Sequence, residues 1–342
     1  MSHPNELDYH HASVPPCGEA QPIVPGLSWI RMPLPFALDH INLWLLDDEG
    51  ATVVIDTGFG LDEVRAQWTR MLDADRRQIA GVVVTHCHPD HIGLADWLMR
   101  RDDAPLYMTQ GEYLGAHALW HETPGYAVAD TLAHFRRHGL DAQRLAALEQ
   151  RGNGYRRGVP ALPNTFRRMF DGDVLRIDGR QWRVIVGYGH SPEHASLYCE
   201  ALGVLISGDM LLPRISTNVS VHAATPHDDP LAWFLASLHR IKDLPDDTLV
   251  LPSHGRPFRG IKARIRQLES HHQERCDALL SAMRASVSAA ELIPTLFPRE
   301  LDTHQVLFAM GEAIAHLNHL ANQKKVRRFV DSDGMVRFER TA

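Results

Sequence analysis

Short apolar runs alternate with amphipathic stretches over the first 260 residues of the chain. Runs of apolar and β-branched residues at 28–34, 40–46 and 51–56 predict three strands, because turn residues separate them. Residues 61–75 carry apolar side chains at helical spacing and predict a helix, and a further buried strand is expected at 81–86. This order of strands and helices is typical of a mixed α and β domain.

The pattern becomes helical between residues 110 and 160. We interpret 110–160 as a helical insertion and a candidate lid, because insertions of this kind often cover a site, although a helix pair packed on its own apolar stripe is the alternative. Strand-like runs then return, and two of them flank Asp178 and Gly179, a pair that favours a hairpin. A helix at 231–244 and a last buried strand at 248–254 follow.

The carboxy-terminal part of the sequence is mainly helical. A long helix is predicted at 261–283, and a third helix of this region is predicted at 304–323. Between them, Ser288 and Glu291 have the spacing of a capping box and predict the start of another helix. Two short strand-like runs flank the turn 331–334, so the sequence predicts a terminal hairpin and a winged-helix-like module.

We therefore divide the chain into three segments. Residues 1–26 are rich in proline and polar residues and are interpreted as an irregular arm. Residues 27–262 form the expected main domain, which includes the insertion at 110–160. Residues 263–342 form the winged-helix-like domain.

Composition and charge exclude several classes of protein. Apolar residues make up 44% of the chain and charged residues 23%, which is ordinary for a globular protein and excludes a disordered or fibrous one. The net charge of −7 argues against a basic footprint for nucleic acid over the whole chain. The four cysteines form no paired motif and no apolar run is long enough to cross a membrane, so we expect a cytoplasmic protein without membrane association.

Candidate chemistry is concentrated directly after the strand predicted at 81–86. His86, His88, Asp90 and His91 lie within six consecutive positions. Burying such a cluster costs free energy unless its members pair or bind a cation. Imidazole nitrogens and carboxylate oxygens are the ligands that zinc, iron and manganese sites use, so this segment is a candidate metal-binding loop.

Three later strands also end in candidate metal ligands. His190, Asp209 and His254 each follow a strand-like apolar run. One geometry, in which these strand ends meet at one edge of a sheet, accounts for all seven residues. We therefore interpret the seven residues as a single functional site.

These motifs resemble those of the metallo-β-lactamase family, and the resemblance covers about residues 25–260. It implies an α+β fold, namely an αββα sandwich with two metal ions on one edge, and the carboxy-terminal segment is similar to the winged-helix-like extension of one branch. Asp56 and His194 match positions that hold the metal loops in place. The ligand positions of the family fall on His86, His88 and His190 for the first metal, on Asp90, His91 and His254 for the second, and on Asp209 as the bridge.

The resemblance implies a hydrolase. Two cations about 3.5–4 Å apart lower the pKa of a shared water, so that a bridging hydroxide attacks an electrophilic carbonyl or phosphorus. Asp90 is the candidate catalytic residue, because it can bind metal and accept a hydrogen bond from the nucleophile. Asp209 stands where the commonest zinc β-lactamases have cysteine, which favours thioesterases, lactonases, phosphodiesterases and related hydrolases over the hydrolysis of antibiotics. A small or medium thioester, ester or lactone is the expected substrate. Zinc is the expected metal, with iron and manganese as alternatives because no thiolate selects for zinc.

Other functions stay open at this point. A phosphodiesterase or endoribonuclease is the main alternative, with RNA contacted by Lys324, Lys325, Arg327, Arg328 and Arg337. A solvated hairpin or a dimer contact is the other interpretation of these charges. An iron-dependent persulfide dioxygenase and a non-catalytic binding protein are further alternatives, and the complete ligand set argues against the last.

The expected partners are a small-molecule substrate and a second copy of the chain, bound through the carboxy-terminal helices, while nucleic acid is an alternative partner. Cys87 is expected to pack rather than to bind metal. Tyr188 precedes the loop of His190 and is expected in the core, with a position at the site as the alternative. Residues that bind the substrate are not identified by any motif. Candidate walls of a pocket are His222 and His227 and, within the insertion, Tyr113, His117, Trp120, His121, Tyr126, His134 and Phe135.

Overall fold

The computed structural model describes residues 7–9, 13–74 and 76–341, so part of the predicted amino-terminal arm, residues 1–6 and 10–12, lies outside the described residues. The described residues fall into two compact units. The first unit comprises Met1–Trp120, Tyr155–Thr217 and Ser237–Ile265, and the second comprises His121–Gly154, Asn218–Ala236 and Arg266–Ala342.

The first unit contains two sheets. β2, β3 and β4 are antiparallel neighbours, which confirms the predicted meander, and β4 to β7 run parallel. The seven strands of the first sheet are, in spatial order, β1 (Gln21–Val24), β2 (Leu27–Pro33), β3 (His40–Asp48), β4 (Ala51–Ile55), β5 (Ile79–Val83), β6 (Leu106–Met108) and β7 (Arg167–Arg168). The second sheet contains β8 (Val174–Ile177), β9 (Arg180–Gly187), β10 (His194–Cys199), β11 (Val204–Gly208) and β12 (Leu249–Pro252), which are adjacent in this order.

Helices account for most of the remaining regular structure. Two short 3₁₀ turns, Glu200–Leu202 and Ala290–Leu292, accompany them. In chain order the helices are α1 (Asp62–Ala74), α2 (Pro89–Ile92), α3 (Ala95–Asp102), α4 (Gln110–His121), α5 (Val128–Arg137), α6 (Ala142–Arg151), α7 (Tyr155–Gly158), α8 (Pro230–Lys242), α9 (Ile261–Ala282), α10 (Ile293–Leu296) and α11 (Thr303–Asn322). None of the helices that the structure describes has the length and apolar character needed to span a membrane.

The core of the first unit lies on both sides of the first sheet. Trp29 and Trp44 from this sheet pack in one buried cluster with Trp182 of the second sheet, so the two sheets face each other. On the opposite side, apolar residues of the first sheet pack against α1 and α3, where Trp68 is fully buried. Arg240 of α8 donates a hydrogen bond to the carbonyl of Val186 in β9 at 2.7 Å, which places α8 along the second sheet. The predicted αββα sandwich is therefore confirmed.

Two local predictions were wrong. The arm predicted to be irregular contains β1, which pairs with β2 alone and therefore tolerates Pro22 at the sheet edge. Ser288 and Glu291 do make the contacts of a capping box, because the backbone N–H of Ser288 donates to Glu291 Oε2 at 2.7 Å and the N–H of Glu291 donates to Ser288 Oγ at 3.4 Å. They are succeeded by a 3₁₀ turn and the four-residue α10 rather than by a full helix, because the segment ends before Pro298.

The second unit ends in a hairpin, as predicted. Asp302 caps α11 through a capping box with Gln305. After α11, β13 (Val326–Val330) and β14 (Val336–Arg340) pair antiparallel. The winged-helix assignment and the domain boundary at residue 262 stay predictions.

Candidate metal centre

One group of predicted site residues consists of His86, His88, His190 and Asp209, whose ligand atoms lie within 4.8 Å of one another. His86 follows β5, and His88 directly precedes α2. Nε2 of His86 is 2.9 Å from Nδ1 of His88 and 3.2 Å from Nε2 of His190. Three ring nitrogens therefore face a common point.

A second group consists of Asp90, His91 and His254, whose ligand atoms also lie within 4.8 Å of one another. Asp90 and His91 lie on α2, and His254 follows the end of β12. Oδ2 of Asp90 is 3.4 Å from Nε2 of His254 and 3.7 Å from Nε2 of His91.

Asp209 lies beside both groups. One carboxylate oxygen, Oδ2, is 3.4 Å from Nε2 of His190. The other, Oδ1, is 3.5 Å from Nε2 of His254 and 3.7 Å from Nε2 of His91. The two oxygens thus face different groups, which is the arrangement expected of a residue that bridges two cations.

His91 is held by the loop that follows β4. Its Nδ1 lies 2.8 Å from Oδ2 of Asp56, so its Nε2 faces the other site residues. Asp56 also accepts hydrogen bonds from the backbone N–H and the hydroxyl of Thr85, at 2.8 Å each. Asp56 has a φ of 60°, a left-handed conformation that is uncommon for a residue with a side chain. The structure therefore places Asp56 behind a site histidine, where a carboxylate fixes the ring orientation.

Other contacts hold the remaining loops. Nδ1 of His254 lies 2.8 Å from the carbonyl oxygen of His40, and Nε2 of His194 accepts a hydrogen bond of 3.1 Å from the backbone N–H of Asp209. The Asn42 side chain donates to the carbonyl of Gly255 at 2.8 Å. Sequence reasoning singled out His194 but missed His40 and Asn42, because neither residue stands in a motif.

Glu112 is a further residue that sequence reasoning missed. It is fully buried on α4 and accepts hydrogen bonds from the backbone N–H of Cys87 at 2.8 Å and from the hydroxyl of Ser191 at 2.6 Å. The N–H of Glu193 also donates to it, at 2.7 Å. One carboxylate thereby joins the loop of His86 and His88 to the loop of His190.

In the first group, His86 and His88 favour the neutral imidazole. Burial lowers the pKa of His88 to about 3, and the neighbouring His190 acts in the same direction. Burial and the neighbouring His91 hold the pKa of His86 well below its usual range. A neutral imidazole offers a lone pair, which is the form that binds a metal ion.

The second group favours charged side chains in the absence of metal. Burial acts to lower the pKa of His91, but Asp56 and the other nearby carboxylates outweigh it and raise the pKa to about 9. Burial likewise opposes the shift at His254, whose pKa lies well above its usual range because of Asp209. Burial opposes the shift of Asp90 too, and His91 and His254 bring its pKa to about 2.

The site residues fit a pair of divalent cations. Nε2 of His91 and Oδ1 of Asp209 are buried and have no hydrogen-bond partner among the described residues. Buried polar atoms in this state are costly, and both atoms are cation ligands. The combined donors are imidazole nitrogens and carboxylate oxygens, which suit zinc, iron and manganese.

Three further residues that the sequence analysis considered lie outside the two groups of candidate ligands. Cys87 is buried in the core cluster beside α1 and α3, in line with the predicted packing role. The prediction for Tyr188 was wrong, because β9 ends at Gly187 and leaves Tyr188 in a loop, 42% exposed. Tyr113 stacks on Phe166 with ring centroids 4.0 Å apart. A substrate pocket or lid formed by the insertion stays a prediction.

Comparison with known proteins agrees with this geometry. Residues 37–254 match the family model of the metallo-beta-lactamase superfamily, and residues 276–341 match that of the metallo-beta-lactamase-like, C-terminal domain. The probable metallo-hydrolase YqjP of Bacillus subtilis (strain 168) is 25% identical over 313 residues, which are 88% of this chain and 93% of that protein.

Two solved structures are similar over almost the whole chain. A beta-lactamase domain protein from Burkholderia ambifaria is 45% identical, with a TM-score of 0.91 and 99% of both chains covered. A metallo-beta-lactamase family protein from Thermus thermophilus is 30% identical, with a TM-score of 0.79, 93% of this chain covered and 99% of that chain. This chain therefore belongs to the metallo-β-lactamase superfamily of metal-dependent hydrolases.

Proposed function

We propose that the protein hydrolyses a small or medium thioester, ester or lactone with two divalent metal ions, most simply zinc. The observation that carries this proposal is the position of Asp209, whose two carboxylate oxygens face the two groups of site residues at 3.4 Å and 3.5 Å. A carboxylate shared in this way is what a dinuclear centre needs between its cations.

Each group would hold one cation. His86, His88 and His190 would bind the first, and Asp90, His91 and His254 would bind the second, with Asp209 shared. When bound, the two cations supply Lewis-acid activation of the substrate oxygen and a water of lowered pKa.

Asp90 is the residue we propose to act on the nucleophile. Its side chain is 19% exposed, compared with 11% for Asp209 and 0% for His91, so Asp90 is the more accessible carboxylate. Its oxygen Oδ2 lies 3.4 Å from Nε2 of His254, which fixes the carboxylate at the second group. Its low pKa keeps it ionised, so it can accept a hydrogen bond from the attacking water and orient it.

Two observations bear on the substrate class: the metal-ligand atoms at the bridging position, and the ion pairs of the terminal hairpin. The bridging position holds a carboxylate rather than a thiolate, as in the thioesterases, lactonases and phosphodiesterases that the sequence motifs resemble. An RNA substrate has less support, because two of the basic hairpin residues form ion pairs. Arg327 lies 2.7 Å from Glu339, and Arg337 lies 3.0 Å from Asp331.

The test is the release of thiol from acyl-glutathione and acyl-CoA thioesters by the zinc-loaded enzyme, with lactones and aryl esters as parallel substrates. Asp90→Ala serves as the inactive variant. Asp96→Ala is the matched control, because Asp96 lies on α3 and bonds to Arg100 instead of the site histidines.

We expect turnover of at least one of these substrates, lost in Asp90→Ala and retained in Asp96→Ala. Turnover that persists in Asp90→Ala would contradict the assigned role of Asp90. Failure of every carbonyl substrate, with cleavage of a phosphodiester instead, would overturn the proposed substrate class.

A further inference from the structure

The second unit contains a group of buried basic side chains that the metal centre does not use. His134 lies in the last turn of α5, and His138 caps its carboxy-terminal end. Their rings stack with centroids 4.7 Å apart, and His138 also packs near Phe338 of the terminal hairpin. The exposed fraction is 8% for His134 and 1% for His138. Burial of two adjacent imidazoles requires an explanation, because each carries two polar nitrogens.

Several nitrogen atoms in this group have no partner. Nε2 of His134, both ring nitrogens of His138 and Nε of Arg328 are buried without a hydrogen bond to any of the described residues. Leaving a buried polar atom unsatisfied costs about 1–3 kcal/mol. When both rings are protonated, all four atoms are donors, so a ligand that accepts several hydrogen bonds would satisfy them.

Two contacts of its terminal nitrogens hold Arg328 in place. Its terminal nitrogens donate to Nδ1 of His227 and to the carbonyl of Pro226. The loop that carries Pro226 and His227 thus fixes the guanidinium, while its Nε remains available. Arg328 differs in this respect from Arg327 and Arg337 of the same hairpin, which pair with carboxylates.

The charges around this group select for an anion. Burial lowers the pKa of His134 to about 4, and Arg328, Arg137 and His222 act in the same direction. Burial also lowers the pKa of His138 to about 2, with His134 and Arg328 among the contributing charges. The same positive charge that disfavours protonation of these imidazoles also disfavours the binding of a metal cation. It favours the binding of an anion.

Nearby carboxylates are engaged in other contacts. Asp130 of α5 accepts a hydrogen bond from the backbone N–H of Gly125 at 2.7 Å. Asp229 pairs with His319 at 3.1 Å, and Glu291 pairs with Arg337 at 2.8 Å. These acids therefore leave the positive character of the histidine and arginine group in place.

We propose that His134, His138 and Arg328 form a binding site for the phosphate group of a small molecule. A phosphate monoester presents three terminal oxygens, which match the three side chains with unpaired donors better than the two oxygens of a carboxylate. Arginine is suited to phosphate because it donates in a fixed geometry and stays charged. This site goes beyond the hydrolase function proposed above and uses different residues.

Binding is expected to take up protons. A dianion beside the two imidazoles favours their charged forms and raises their pKa values, so the complex holds more protons than the free protein. Sulfate keeps its charge between pH 6 and pH 8, and its affinity should therefore increase as the pH falls through this range, while the charges of Arg137 and Arg328 stay constant.

The test is isothermal titration of the zinc-loaded, full-length protein with inorganic phosphate, sulfate and adenosine 3′,5′-bisphosphate. Arg328→Gln and His138→Leu remove one donor each, and Arg327→Gln is the matched control on the same hairpin. Since His138 is fully buried, thermal melting is recorded for each variant, and Arg328→Gln, at a half-buried position, decides the result if His138→Leu does not fold.

We expect one phosphate event per chain that weakens at least about tenfold in Arg328→Gln and His138→Leu and changes less than about twofold in Arg327→Gln. Bisphosphate that binds more tightly than phosphate through the same residues would assign the site to a nucleotide-type ligand. Equal affinities for the bisphosphate and for inorganic phosphate would assign the site to free phosphate. Either result supports the proposed site. No binding, or binding that is equal in all variants and hence located at the metal centre, would overturn the proposal.

Discussion

Two sets of buried histidines in this molecule differ in the charges beside them. In the metal centre, His91 lies against Asp56, Asp90 and Asp209, and its pKa rises to about 9 although burial opposes this shift. In the second unit, His316 is equally buried on α11, and its Nδ1 lies 2.9 Å from a backbone carbonyl oxygen. Burial lowers the pKa of His316 to about 4.

The difference shows what distinguishes a binding site from a polar core. Nδ1 of His272 on α9 lies 3.1 Å from Nε2 of His316 on α11. The two buried histidines therefore satisfy part of their hydrogen-bonding capacity by bonding to each other. The site histidines direct nitrogen atoms towards carboxylate oxygens that stay between 3.4 Å and 3.7 Å away. Carboxylate oxygens beside imidazole nitrogens favour cation binding, whereas the contact between His272 and His316 includes no carboxylate.

The largest effect is expected when the carboxylate of Asp209, which faces both groups of site residues, is removed. Asp209→Ala is expected to lower kcat/KM by about 10³-fold or more, because loss of metal-ion stabilisation of the transition state costs several kcal/mol. Asp229→Ala is the matched control, since Asp229 is buried to a similar degree and pairs with His319. Steady-state kinetics of both variants provide the measurement, and an equal loss in the two would show that Asp209 has no special role.

A smaller effect is expected from the carboxylate behind His91. Asp56→Asn removes the charge that orients the ring, and such contacts typically contribute 10- to 100-fold to metal affinity. Competition with a fluorescent zinc chelator measures this affinity. Asp171→Asn, at an exposed pair with Arg240, serves as the control. An unchanged zinc affinity in Asp56→Asn would mean that the ring is oriented without this carboxylate.

Glu112 tests a carboxylate that supports the site without touching its histidines. Burial raises its pKa, although hydrogen bonds from Ser191 and from two backbone N–H groups oppose the shift. Glu112→Ala leaves those donors unsatisfied and should lower the free energy of unfolding by about 1–3 kcal/mol, with a parallel loss of zinc affinity. Urea unfolding of the metal-loaded protein measures the first quantity. A stability loss with unaltered zinc affinity would restrict Glu112 to a folding role.

The pH dependence of stability that each residue contributes should differ in sign between His91 and His316. The folded-state pKa of His91 is raised, so its contribution in metal-free protein is complete below pH 6.5 and is lost as the pH rises towards 9. The folded-state pKa of His316 is lowered, so its contribution is complete above pH 6.5 and is lost as the pH falls towards 4. Each group changes the free energy of unfolding by up to about 1.4 kcal/mol per pH unit within its own range.

Urea unfolding of the metal-free protein between pH 4.5 and pH 9 resolves the two slopes. His91→Asn should flatten the alkaline side only, and His316→Leu should flatten the acidic side only. Bound zinc replaces the proton on His91 and should also flatten the alkaline side. If His316→Leu altered the alkaline slope instead, the assignment of the two sets would be incorrect.

The sequence singled out the candidate metal ligands because they stand in a short motif and at the ends of apolar strands, and the structure brings them together. His86 to His91 follow β5, and Asp209 follows β11, so strand periodicity and residue type were sufficient to bring them together. The αββα layers were implied by the resemblance to the metallo-β-lactamase family, and the two facing sheets confirm them.

Asp56 and His194, which hold the site loops in place, were expected from the family resemblance, but Glu112 and Asn42 were not predictable in this way. Glu112 contacts Ser191 across 79 positions of the chain, and Asn42 contacts Gly255 across 213 positions. Neither residue belongs to a local sequence pattern. A glutamate on a helix or an asparagine in a strand usually faces solvent, so its residue type does not indicate a buried contact. β1 was missed for a different reason, since its proline is compatible with a strand only at a sheet edge.

The central claim is that seven residues hold two cations with Asp209 between them. The most direct test is titration of the metal-free protein with zinc, followed by calorimetry and elemental analysis of the dialysed complex. We predict two zinc ions per chain in the natural protein and fewer than two in Asp209→Ala, with two retained in Asp229→Ala. A natural protein that retains one zinc or none, or an Asp209→Ala variant that retains two, would contradict the account.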